Sequence, residues 1–135
     1  MTNILWTCFA VKDTPADSFH CTHKYLGEQN ELNEYHIQEI IEKFFFGEFR
    51  FVLPMKFGNV DYFGERYSRA YVLSDFGYKD QLFLDLRFKL DAFRKDNFEH
   101  WVPHITTNAS LSSTSIKFDR FCLMKNNDEL LTFKI

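Results

Sequence analysis

Hydrophobic and polar positions alternate along this chain with two periods, and the switches between them predict its elements. Ile4 to Val11 and Phe19 to Leu26 read as strands, separated by the turn-forming Asp13-Thr14-Pro15-Ala16-Asp17 and stopped at Gly27. From about Glu31 to Phe45 the period changes. Ile37, Ile40, Ile41, Phe44 and Phe45 recur at i, i+3, i+4, i+7 and i+8, which predicts a helix with one core-facing stripe and Asn30 as its cap. Phe49 to Val60 and Ser68 to Leu73 are rich in β-branched and aromatic residues and predict two further strands around a glycine-containing loop, Asp61 to Tyr67. A second helix from about Lys79 to Arg94 buries Leu82, Phe83, Leu86, Leu90 and Phe93. Trp101 to Asn108, Ser115 to Met124 and Leu130 to Ile135 close the chain as strands, the last two joined by a turn at Lys125-Asn126-Asn127-Asp128. The order β-β-α-β-β followed by α-β-β-β predicts an α+β domain over residues 1–135. Two similar lobes, each with antiparallel strands and one outer helix, would flank a central cleft.

Composition narrows the class. A chain of 135 residues is long enough for one domain with a substantial core, and 17 phenylalanines make that core aromatic. No apolar run approaches the length of a membrane span, and Met1 to Trp6 lacks the basic start and apolar core of a secretion signal, so a cytoplasmic location is expected. The three cysteines, Cys8, Cys21 and Cys122, are an odd count without CxxC spacing and read as buried free thiols. A formal net charge of -3 argues against DNA or long RNA held on a broad basic surface. It leaves room for a small anion held by a few local cations.

The chemistry is concentrated in a repeated pattern, His-x-Thr, at His20-Cys21-Thr22 and His104-Ile105-Thr106. In a strand, residues i and i+2 share a face, so each copy presents an imidazole beside a hydroxyl. If the two strands meet, one histidine can take a proton from an attacking hydroxyl while the other protonates the leaving oxygen. Thr22 and Thr106 can then donate hydrogen bonds to phosphate oxygens. No metal is expected: alternation puts Cys21 and His23 on the face opposite His20, which spoils a ligand set. The same alternation puts Lys24 with His20 and Thr22, as a phosphate partner or a surface lysine at a strand end. Arg66, in the 61–67 loop, and Arg69 beside it are further candidate anion partners. Trp6, Tyr62, Tyr67 and Trp101 are candidate stacking platforms for a base, Trp6 above all because strand one should run near the cleft.

At these residues the chain resembles the 2H phosphoesterases, also called LigT-like. His20-Cys21-Thr22-His23-Lys24-Tyr25-Leu26-Gly27 is similar to that family's His-x-Thr followed by an apolar residue, Lys, an aromatic or apolar residue, Leu and Gly. Trp101-Val102-Pro103-His104-Ile105-Thr106 is similar to its Pro-His-Ile-Thr. Two departures stand out: His23 occupies a position the family fills with an apolar residue, and the connection into the first motif is too short for the helix many relatives carry there. The resemblance implies cofactor-free cleavage of a small ribonucleotide whose ribose 2′-OH lies next to the scissile phosphate. Its leading form is a viral enzyme degrading cyclic di- or trinucleotide messengers of the CBASS immune system. The alternatives are a phosphodiesterase acting on 2′,3′-cyclic phosphates or 2′-5′ RNA linkages and, from another class, a nucleotide-binding sponge without turnover.

Overall fold

The computed structural model describes residues 3–47, 54–62, 69–75, 80–95, 104–107 and 115–135. In chain order they form β1 (Ile4–Ala10), β2 (His20–Glu28), α1 (Glu31–Gly47), β3 (Pro54–Tyr62), β4 (Arg69–Asp75), α2 (Asp80–Leu90), β5 (His104–Thr107), β6 (Ser115–Lys117), β7 (Arg120–Lys125) and β8 (Asp128–Lys134). The strands build two antiparallel four-stranded sheets, ordered β2-β1-β7-β8 and β5-β4-β3-β6. The α+β class and the two-sheet plan agree with expectation. The lobes, however, are not halves of the sequence. The run expected as one strand, Ser115 to Met124, is two strands: β6 pairs with β3 in the second sheet, and β7 pairs with β1 in the first. Between them the fully buried Phe118 and the half-buried Asp119 carry the chain across, where the Asp119 N–H donates to Ala10 O at 3.0 Å.

Strict alternation along β1 and β7 gives the first sheet two different faces. Leu5, Phe9, Phe121 and Leu123 point to the main core, where they meet Ile37, Ile41, Phe44 and Phe45 of α1 and Phe83, Leu86 and Leu90 of α2. Phe45 stacks on Phe133 of β8, ring centroids 4.6 Å apart. Cys8, Ala10, Cys122 and Met124 point the other way, against Ala16 and the partly buried Trp6. Helix α1 begins as expected, with Asn30 Oδ1 accepting the Asn33 N–H at 2.7 Å and Glu31 and Glu34 in the first turn. Among the described residues no helix is long and apolar enough to cross a membrane.

Strand β2 departs from simple alternation. Thr7 pairs with Lys24 but Cys8 pairs with Thr22, so His23 is an extra residue on β2; Leu26 is extra in the same way between Tyr25 and Gly27. These bulges rephase the strand. Thr22 and Tyr25 remain on the face away from the helices, while Lys24 turns inward and is fully buried in an ion pair with Asp91 at 2.6 Å. His23 also faces the helices, among Phe9, Phe83 and Phe121. An imidazole there needs partners for both nitrogens, and it has them: Nε2–H donates to Phe83 O at 2.8 Å and Nδ1 accepts from the Thr7 hydroxyl at 2.8 Å. Arg87 donates in turn to His23 O.

Burial holds the His23 pKa down to about 3, from an ordinary value of 6.5. Between those values the unfolded chain binds a proton that the folded chain refuses. The stability His23 contributes is therefore complete above about pH 6.5 and is lost progressively as pH falls toward 3. Urea unfolding at pH 7 and pH 5 should show a stability drop that shrinks in His23→Leu. That variant should itself lose about 1–3 kcal/mol at pH 7, because it removes both buried imidazole bonds and leaves the Thr7 hydroxyl only the Lys24 carbonyl at 3.4 Å. An unchanged difference between the two pH values would mean that His23 does not sense the interior.

Candidate active site

The helix-free face of the first sheet carries a pocket of about 610 Å³. Ile4 and Trp6 of β1 and His20, Thr22 and Tyr25 of β2 form its sheet wall; Asp17 from the β1–β2 loop and Asn126 and Asn127 from the β7–β8 turn form its sides. The turn is fastened to β1. Asn126 adopts a left-handed φ of 57°, its N–H donates to Ile4 O at 2.7 Å, and its Oδ1 accepts the Ile4 N–H at 3.1 Å. The Asn126 carbonyl also accepts the Trp6 indole N–H at 2.8 Å. Trp6 is thereby held with its ring centroid 4.6 Å from that of His20.

His20 is oriented from below. Its Nδ1–H donates to Ala16 O at 2.6 Å, in a loop whose turn bonds run from Ser18 and Phe19 back to Pro15 O. The neutral ring therefore carries its lone pair on Nε2. Burial pushes the His20 pKa below 6.5; the Ala16 hydrogen bond and the Asp17 carboxylate push back, and the charge of His104 pushes down again. At neutral pH the ring is an unprotonated imidazole.

The second motif comes to the first. Strands β2 and β5 are each the outer strand of their own sheet, and they lie beside one another. Burial raises the Cys21 thiol to about 12, and the neighbouring His104 backbone pulls it the other way. His104 is partly buried and close enough to His20 for its charge to bear on that ring. Thr106 sits two positions along β5, paired with Ala70.

Of the other residues singled out from sequence, Trp6 lies in the pocket and Lys24 does not. The bulge at His23 is why: it puts Tyr25 rather than Lys24 on the pocket face. Tyr62 ends β3, opposite Arg69 of β4. The side chains of Tyr62, Arg69 and Thr106, together with all of Arg66, Tyr67 and Trp101, lie outside the described residues. Sequence reading missed Asp17, Tyr25 and the paired asparagines as pocket residues. The Lys125 to Asp128 turn was visible in the sequence, but its attachment to β1 is a tertiary fact. Among the described residues no group of three His, Cys, Asp or Glu is arranged to hold a metal.

No family model matches the chain, and no curated protein matches it in sequence. Solved structures match it in fold. A phosphoesterase superimposes with TM-score 0.68 at 14% identity, over 100% of this chain and 99% of that one. E. coli LigT complexed with 3′-AMP gives TM-score 0.64 at 15% identity, over 99% and 98%. E. coli LigT complexed with phosphate gives 0.65 at 14%, over 98% and 97%. The chain has the LigT-like fold along its whole length.

The proximity of the two histidines has a measurable signature. His104→Ala should raise the His20 pKa, because it removes a like charge and admits water; Asp17→Asn should lower it, because it removes an opposite one. NMR titration of the His20 ring reads both. A His20 titration indifferent to His104 would mean that the two rings lie beyond each other's reach.

Proposed function

We propose that this chain is a metal-independent phosphodiesterase of the 2H type, acting on a small ribonucleotide with His20 and His104 as its acid–base pair. One observation carries the reading. The two His-x-Thr strands are neighbouring outer strands, and His20 lies on a pocket wall within reach of the His104 charge. Two imidazoles in that relation suit proton transfer at both ends of an in-line displacement.

His20 is the base of the first step, since its Nδ1–H is tied to Ala16 and its Nε2 carries the lone pair. It takes the proton of the ribose 2′-OH as that oxygen attacks the adjacent phosphorus. The bond to the leaving oxygen breaks, and His104 supplies the proton that oxygen takes up. The product is a 2′,3′-cyclic phosphate, which water opens by the reverse proton traffic. Thr22 and Thr106 donate to the phosphate oxygens as charge builds there. Trp6, braced by Asn126, offers its ring to the nucleobase. The chemistry asks for no cofactor and no metal.

For the substrate we favour small cyclic di- or trinucleotides, the messengers a virus would destroy to silence CBASS immunity. A bounded pocket and an acidic chain suit a small anion better than long RNA; a viral enzyme of this kind would act in the host cytoplasm. E. coli LigT has been captured with 3′-AMP, phosphate, ATP and NADP+, all phosphate-bearing ligands. Cleavage of 2′,3′-cyclic phosphates or 2′-5′ RNA linkages is the alternative within the same chemistry.

The protein should turn over at least one member of a panel of cyclic dinucleotides, cyclic trinucleotides, 2′-5′ oligoadenylate and a 2′,3′-cyclic nucleotide, with EDTA present. Mass spectrometry identifies the products. His20→Ala and His104→Ala should each lose roughly 10²–10⁴-fold in kcat, and the rate should be bell-shaped in pH. A 2′-deoxy analogue of any substrate whose attacking group is its own 2′-OH should resist cleavage. Uptake of ligand that is released intact on heating would identify a sponge, and turnover that survives both substitutions would end the acid–base assignment.

A further inference from the structure

Beyond the end of α2 the chain turns back over the tip of β2. The Phe93 N–H donates to Leu90 O at 3.0 Å, and Gln29 Nε2 donates to Phe93 O at 3.2 Å, which fastens the turn to the residue after the strand. From this turn Arg94 reaches the pocket's edge. Its guanidinium carbon lies 5.1 Å from the centroid of the Tyr25 ring, and Tyr25 is a pocket-lining residue, 46% exposed. Gly27 provides the floor. Its φ of +66° suits glycine, and a Cβ there would lie 2.7 Å from Arg94 Nη1, so a larger residue would push the guanidinium off its seat.

The other cations on this flank are engaged in holding the fold, Lys24 with Asp91 and Arg87 with His23 O. Among the described residues Arg94 has no carboxylate within ion-pair distance. With Nη1 over Gly27 and its carbon over the Tyr25 ring, the guanidinium keeps further N–H groups that can donate to phosphate oxygens.

We propose that Arg94, seated on Tyr25 and Gly27, is a second phosphate site. It binds a phosphate one nucleotide removed from the one that reacts, so the preferred substrate carries at least two phosphates. The proposal rests on the reading of His20 and Thr22 as the reacting-phosphate end of the pocket. Along β2, Thr22 and Tyr25 stand on the order of 10 Å apart by strand rise. A dinucleotide can span that distance, and the single phosphate of a mononucleotide cannot occupy both ends.

The test compares wild type, Arg94→Gln and Arg94→Lys on a two-phosphate ligand, cyclic diadenylate, and a one-phosphate ligand, adenosine 2′,3′-cyclic phosphate. Arg94→Gln should lower the ratio of the two kcat/KM values, two-phosphate over one-phosphate, by roughly 10- to 100-fold. Arg94→Lys should fall between, keeping the charge and losing the fork. Equal losses on both ligands, or no loss on either, would overturn the proposal. Calorimetry with cyclic diadenylate and AMP separates this site from the catalytic reading. If nothing is turned over, but cyclic diadenylate binds more tightly than AMP and Arg94→Gln erases that preference, the site stands and the acid–base assignment falls. Equal affinities, or no binding of either ligand, would overturn the site as well.

Discussion

The candidate site depends on one dry surface, the helix-covered face of the first sheet. Phe9, near the end of β1, touches Phe83, Phe118 and Phe121 with ring centroids 4.7, 5.9 and 5.2 Å away, and both helices close over that face of the first sheet. Water excluded there leaves only the opposite face for chemistry that must meet solvent and substrate. Period-2 alternation then decides residue by residue what each strand offers the pocket. Trp6 and His20 are in the pocket because Leu5, Phe9 and Cys21 are in the core.

The one place where that logic bends is the first motif strand. A histidine in the Phe cluster would be a serious liability if either ring nitrogen lacked a partner. Thr7 and the Phe83 carbonyl remove that liability, and the bulge that admits His23 has a second effect. By shifting the phase of β2 it exchanges Lys24 for Tyr25 on the pocket side. The wall beyond Thr22 is aromatic rather than cationic, and positive charge returns to it from elsewhere in the chain, on Arg94.

Element type was legible because the apolar spacing is regular: the first helix stripe, the Asn30 cap and the strands carrying the motifs lie where the pattern puts them, whereas α2 ends at Leu90 and leaves Phe93, expected in its stripe, in the turn beyond, and β2 runs past Gly27 to Glu28. The His20 and Thr22 face was legible for the same reason. What alternation does not encode is partnership. Ser115 to Met124 looks like one strand because its residues suit any strand, and nothing in their spacing says that the chain changes sheets at Phe118. Bulges are equally silent, because an inserted residue is invisible until its partner strand is known; hence the misplacement of Lys24. The β7–β8 turn becomes a pocket wall through bonds to Ile4 and Trp6, residues at the other end of the sequence.

That crossing has a consequence for how the molecule is assembled in time. Trp6 and Asn126, which brace one another beside His20, are 120 positions apart in sequence. The hairpin of β1 and β2 needs only a short loop to close, whereas β1 keeps an open edge until β7 pairs with it. The long intervening loop must close before that pairing is rewarded, which slows folding. Until then a hydrophobic strand with unpaired backbone groups is exposed to other chains, so yield at synthesis should depend on concentration and temperature more than native stability suggests. The pocket is complete only when this long-range contact has formed.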